Sequence, residues 1–153
     1  MAKLHRFLLD NQSYHVVSTT RDGARVFLDP DCASLVVEAL QFLRRERAFV
    51  LAYVVMPDHF HGLLAPRGGA TISQAMQSIK GYTARRVNEL LGRRGPLWQR
   101  SFYDRMIRDE RELLETVDYV LMNPVVAGLS EEPGAYPFSS AGREDLIDLN
   151  AFL

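Results

Sequence analysis

The sequence predicts an α+β fold, an antiparallel sheet with helices packed against one face in a two-layer sandwich. Short runs rich in β-branched residues alternate with longer segments whose apolar residues recur at helical spacing. Two of the strand-like runs are separated only by Pro57-Asp58, a turn signal that makes them an antiparallel hairpin. A chain of 153 residues with 47% hydrophobic composition suits one core, so a single domain over 1–153 is expected.

Each element has its own local reason. Tyr14 to Thr20 is a β-rich strand closed by the turn residues Arg21-Asp22-Gly23. Asp29-Pro30 supplies a helix N-cap with proline in the first turn, and Ala33, Val36, Val37, Leu40 and Leu43 carry the helical stripe to about Arg47. Phe49 to Met56 is a nearly unbroken apolar strand, a pattern that implies burial on both faces. After Pro57-Asp58 comes a strand from about His59 to Ala65, ended by Arg67-Gly68-Gly69. Thr71-x-x-Gln74 resembles a capping box and opens a long helix lined by Ile72, Ala75, Met76, Ile79, Thr83, Val87 and Leu90, with Gly92 as its stop. Leu97 to Ile107 contains another strand or hairpin arm. A last helix starts at Asp109 and is expected to end near Asn123, before Pro124. The tail from about residue 125 is rich in Gly and Pro and reads as irregular. The order β-α-β-β-α-β-α is related to the ferredoxin-like plan.

Composition narrows the function. The longest apolar run, the nine residues from Ala48 to Met56, is too short to span a bilayer, and no signal-peptide pattern is present, so no membrane partner and a cytoplasmic protein are expected. The single cysteine, Cys32, leaves no intramolecular disulfide and no Cys-rich zinc site, and reads as a buried structural thiol. The net charge of −1 conceals a basic stretch. From Lys80 to Arg111 nine basic residues face four acidic ones, interleaved with Tyr82, Trp98, Phe102 and Tyr103. That mixture neutralises phosphates and stacks unpaired bases, although an arginine-rich face is as often merely solvated. Lys80, Arg85, Arg86, Trp98 and Arg100 are the expected contacts to such a nucleic acid.

His59 and His61 are the residues that say most about chemistry. Two positions apart on a strand, they point to one face and can converge on one metal ion or phosphate, with Phe60 packing behind them. A bare His-x-His is more often a pair of ordinary strand residues, so the last helix matters. With Leu113 at zero and 100° per residue, Val117, Leu121, Leu114 and Val120 form one apolar stripe, while Tyr119 and Asn123 fall at about 240° and 280° on the far side. Tyr119 and Asn123 are neighbours at i and i+4, with Glu115 one turn earlier. Tyr119 is thus a candidate nucleophile beside a candidate metal ligand.

Five blocks in order resemble a known family. They are Tyr14-His15-Val16-Val17-Ser18, Ala52 to His61, Ser78-Ile79-Lys80-Gly81-Tyr82, Gly95-Pro96-Leu97-Trp98-Gln99-Arg100, and Tyr119 to Val125. Together they resemble the single-tyrosine HUH transposases, and among them the REP-associated tyrosine transposases that act on repetitive extragenic palindromes. The resemblance implies an RRM-like antiparallel sheet with the histidines on a central strand. It implies that His59 and His61 hold a divalent metal, Mg²⁺ or Mn²⁺, that Asn123 completes the site, and that Tyr119 is the catalytic tyrosine. It further implies cleavage of single-stranded DNA next to a hairpin, a 5′-phosphotyrosine intermediate, and strand transfer when a free 3′-hydroxyl attacks that linkage. Members of the family work as monomers or exchange the tyrosine helix within a homodimer.

The residue types suit that chemistry. A phenol is a weak nucleophile until it loses its proton, and a cation at the phosphate offsets the charge that its attack creates. Neutral ligands leave the metal its full charge and favour Mn²⁺ over Mg²⁺. Glu115 is a candidate proton acceptor. Two other readings use fewer of these residues. A non-catalytic nucleic-acid-binding module would need only the sheet, and a small zinc hydrolase would need a third ligand, for which His5 and His15 are not placed by spacing.

Overall fold

A computed structural model describes residues 2–153. Its core is a four-stranded antiparallel sheet of β1 (Tyr14–Thr19), β2 (Ala48–Met56), β3 (His59–Pro66) and β4 (Tyr103–Met106), in the order β2-β3-β1-β4. The helices are α1 (Ala2–Asp10), α2 (Pro30–Glu46), α3 (Ile72–Leu91) and α4 (Glu110–Val126). The expected α+β class and element order hold, with α1 added at the front. Its Leu4 and Phe7 are buried, and with Leu8 they have the i, i+3, i+4 spacing of a helix.

Local signals act as read. Asp29 caps α2 by accepting from the Asp31 N–H at 2.9 Å, and Thr71 and Gln74 form a reciprocal capping box at 3.1 and 3.0 Å. Gly92 ends α3 in the left-handed conformation, φ 61°.

Two expectations are corrected. The helices do not share one face of the sheet. α2 and α3 cover the side that carries Val16, Val50, Tyr53, Phe60 and Leu64, whereas α1 and α4 cover the side that carries Leu51, Ala52, Leu63 and Ala65. The register slips between Val50 and Ala52, and this bulge turns both Leu51 and Ala52 toward α1 and α4. The continuous apolar run of β2 is the sequence counterpart of this two-sided burial. The second correction concerns α4, which continues through Pro124 to Val126. Proline's fixed φ fits a helix, and within one it forgoes the N–H donor to the carbonyl of Val120 and crowds that carbonyl with its ring. The helix stops at Gly128 (φ 76°), where Leu129 N donates to Pro124 O at 2.8 Å and Gly128 N to Val125 O at 3.0 Å, the two bonds of a Schellman end.

Beyond α4 the tail forms only short 3-10 turns, at Pro133–Ala135, Glu144–Leu146 and Leu149–Phe152, but is not idle. Val55 N donates to Phe138 O, Ser140 N to Tyr53 O, and Val50 N to the Asp148 carboxylate at 2.8 Å, while Arg44 grips the same carboxylate at 2.9 Å. The outer edge of β2 is therefore satisfied by the tail, and its ladder is not left open. Among the described residues no helix is long and apolar enough to cross a membrane. Cys32 is fully buried on the inner side of α2.

Candidate active site

The sheet register builds the site. β3 pairs with β1 so that His61 lies opposite Val17 and His59 opposite Thr19, and β4 pairs with β1 so that Arg105 lies opposite His15. Residues directly opposite share a face, and each strand alternates. His15, Val17 and Thr19, His59 and His61, and Tyr103 and Arg105 consequently line one face. α4 crosses that face beyond its apolar contacts, and there its other side presents Glu112, Glu115, Thr116, Tyr119 and Asn123. These groups enclose an open pocket of about 840 Å³.

His59, His61, Tyr119 and Asn123 are brought together within a single chain. The His59 and His61 rings are 5.0 Å apart, and the Tyr119 ring stands edge-on to His61 at 5.8 Å. Tyr119 is 59% exposed, so its phenol is accessible from solvent. Asn123 follows one turn later and lines the same pocket.

Sequence reasoning missed three members of this cluster. His15 approaches His61 at 3.0 Å, Nε2 to Nδ1, with the rings stacked at 5.3 Å, and it also meets the Tyr119 ring at 6.0 Å. Spacing along the chain does not place it beside His61; the β1–β3 register does. Asp58 accepts from His59 Nδ1 at 2.7 Å. Arg105 is the only cationic side chain among the residues lining the pocket, and its Nε donates to Glu112 at 3.1 Å. Hydrogen bonds from Arg108 and Arg105 hold the Glu112 carboxyl below its ordinary range.

His59 and His61 offer two neutral nitrogen donors to the same pocket. Both histidines of the pair have Nδ1 engaged, His59 by Asp58 and His61 by His15, which leaves Nε2 of each ring without a protein partner among these contacts. Burial, reinforced by His59 and His15, lowers the His61 pKa to about 3, which keeps it neutral and able to ligate at ordinary pH. Among the described residues no group of three or more His, Cys, Asp or Glu is arranged to hold a metal ion. Asn123 and the substrate or water would have to complete any shell that His59 and His61 begin.

The expected DNA contacts stand apart from this pocket. Trp98 is a core residue in this structure: only 5% exposed, it packs against Phe27 at 5.3 Å and Phe60 at 5.6 Å and donates its N–H to Thr83 at 2.9 Å. A ring this deeply buried has little surface to offer a base, which counts against the expected stacking contact. Lys80 donates to Gln99 O at 2.9 Å and reaches the carbonyls of Arg100 and Ser101 at 3.5 Å, so its ammonium fastens the segment before β4. Burial lowers the pKa of that ammonium. Arg85 and Arg86 lie against the Tyr82 ring at 5.7 and 5.5 Å on α3, across the sheet from the histidines. Arg100 is exposed beside the Lys80 contact. Glu115 lines the pocket while its carboxylate pairs with Arg111 at 2.9 Å. His5 sits on α1, 3.3 Å from Glu110, outside the pocket.

The sequence model of the family described as Transposase IS200 like matches residues 9–122 of this chain. The chain belongs to the IS200-like transposase family. The REP-associated tyrosine transposase of Escherichia coli strain K12 is 30% identical over 104 residues, which cover 67% of this chain and 60% of that protein. The matched part of this IS200-like chain thus spans about three fifths of its curated relative. A solved structure of a REP-associated tyrosine transposase bound to a REP hairpin superposes with a TM-score of 0.71 at 24% identity, covering 90% of this chain and 82% of that one. At that identity the likeness establishes the fold. It is the fold expected of an IS200-like transposase, with the histidine strand β3 in the interior of the sheet.

Proposed function

We propose that this chain cleaves single-stranded DNA beside a hairpin and becomes joined to it through a 5′-phosphotyrosine on Tyr119. The observation that carries this reading is the convergence of His59, His61, Tyr119 and Asn123 in one open pocket, from elements far apart in sequence. The non-catalytic alternative needs no nucleophile beside the histidines and leaves the exposure of Tyr119 unused. Hairpin DNA as the substrate is supported by the hairpin in the solved relative.

His59, His61 and Asn123 would hold the divalent cation. Bound there, it would polarise the scissile phosphate and offset charge growing on the non-bridging oxygens. Two imidazoles and an amide suit Mn²⁺ better than Mg²⁺, which prefers carboxylates and water. Asp58 and His15 orient the two rings through Nδ1. Arg105, tethered by Glu112, puts a positive charge on the wall where a phosphate enters. The Tyr119 oxygen attacks phosphorus, the bond to the 3′-oxygen breaks, and that oxygen leaves as a 3′-hydroxyl after taking a proton. Attack by a 3′-hydroxyl on the phosphotyrosine reverses the exchange and returns the proton to the phenol. No water is consumed, and the number of phosphodiester bonds is conserved. Glu115, one turn before Tyr119, is the carboxylate proposed to accept the phenolic proton.

The test is a denaturing gel of protein incubated with labelled single-stranded hairpin DNA and Mn²⁺. A labelled protein band is expected for wild type and not for Tyr119→Phe or after EDTA. Binding without any adduct in wild type would make the chain a DNA-binding module on a transposase fold. Unchanged cleavage by Glu115→Gln would remove Glu115 from the reaction.

A further inference from the structure

We propose that His15 is a positioning residue: it accepts the Nδ1 proton of His61 and so fixes the tautomer in which the His61 Nε2 lone pair is free to bind a divalent cation. The inference deepens the metal-site reading above and rests on it for its consequence.

A neutral imidazole carries one proton, so one ring nitrogen donates and the other accepts. The 3.0 Å contact between His15 Nε2 and His61 Nδ1 is therefore a hydrogen bond with two possible directions. If His61 donates, its Nε2 is an open lone pair. If His15 donates, the single proton of His61 must lie on Nε2, and His61 has no nitrogen left to ligate. The direction of one hydrogen bond thus decides whether the second histidine of the pair can bind metal at all.

The sheet explains why His15 is the partner. It lies opposite Leu63 on β3, one diagonal step from His61 on the same face, and the two rings are within 14° of parallel. Asp58 performs the corresponding task for His59, but the two anchors differ in surroundings. The Asp58 side chain is 41% exposed, whereas His15 is 9% exposed beneath Tyr119. An ionised carboxylate at the His15 position would have to give up most of its hydration. A neutral imidazole is an acceptor that tolerates burial and adds no negative charge to compete with a phosphate for the cation.

Long-range ¹H–¹⁵N spectra of the full chain, metal-free and at neutral pH, read the histidine tautomers directly. Mn²⁺ titration without DNA, followed by the electron spin resonance of free Mn²⁺, reads affinity. The expected result is Nδ1–H on His61 in wild type, a 10- to 100-fold weaker Mn²⁺ affinity in His15→Phe with His61 moved to Nε2–H, and affinity within several-fold of wild type in His15→Gln, whose amide oxygen can accept. Nε2–H on His61 in metal-free wild type would overturn the proposal without any variant. So would His15→Phe with affinity within twofold and His61 unchanged. Wild type that shows Nδ1–H on His61 yet binds no Mn²⁺ would support the tautomer assignment and sink the metal site instead.

Discussion

Replacing Trp98 with leucine separates a core role from a DNA-stacking role. The indole is 5% exposed, wedged between Phe27 and Phe60, and its N–H donates to Thr83 at 2.9 Å. Truncating a buried aromatic to alanine costs about 3–5 kcal/mol, and leucine refills part of that volume. Thr83 keeps its own bond to Ile79 O at 2.7 Å, so only the indole's hydrogen bond is lost, worth about 1 kcal/mol. The sum is about 2–4 kcal/mol, or roughly 5–15 °C in Tm for a domain of this size. Trp98 is the only tryptophan, so urea unfolding of the variant must be followed by circular dichroism. Hairpin-DNA affinity, measured by anisotropy well below the midpoint, should stay within twofold. A base stacked on the ring would instead make the loss about 1–3 kcal/mol of binding, roughly 5- to 150-fold. Unfolding unchanged within about 0.5 kcal/mol, together with a tenfold or greater loss of affinity, would refute the core assignment.

Asp58→Ala removes the acceptor for His59 Nδ1 and should weaken Mn²⁺ binding about 10- to 100-fold in calorimetry without DNA; an unchanged affinity would show that His59 needs no anchor. Lys80→Met keeps the stem but strips the ammonium from the carbonyls at 99–101, so the expected loss is about 1–3 kcal/mol in urea unfolding with faster proteolysis in that segment. Weakened DNA binding with native stability would instead return Lys80 to the DNA surface. Burial raises the Cys32 thiol pKa above its ordinary value, so the native protein should ignore Ellman's reagent and release one equivalent in denaturant; rapid native reaction would contradict its place in the core.

Much of the site was legible because it is written in short-range geometry. Period 2 put His59 and His61 on one face, and period 3.6 put Tyr119 beside Asn123 and away from the apolar stripe. Caps at Asp29, Thr71 and Asp109 set the helix starts because each satisfies orphan N–H groups within four residues. Pro124 misled because a proline's disfavour for the preceding helical residue is a local bias, and Schellman bonds beyond it complete another turn.

The sequence by itself determined the class of fold, the order of elements after α1, and a resemblance that singles out His59, His61, Tyr119 and Asn123. Only the tertiary structure decided which face α4 occupies, and thereby that Tyr119 lines one pocket with the two histidines. It alone added His15, Asp58 and Arg105 to the pocket, and showed Trp98 packed into the core. The physical reason is that a strand's pattern says which residues share a face but not which strand lies beside it. Register between β1, β3 and β4 is fixed by the whole buried sheet, and His15 is 46 residues from the ring that it touches.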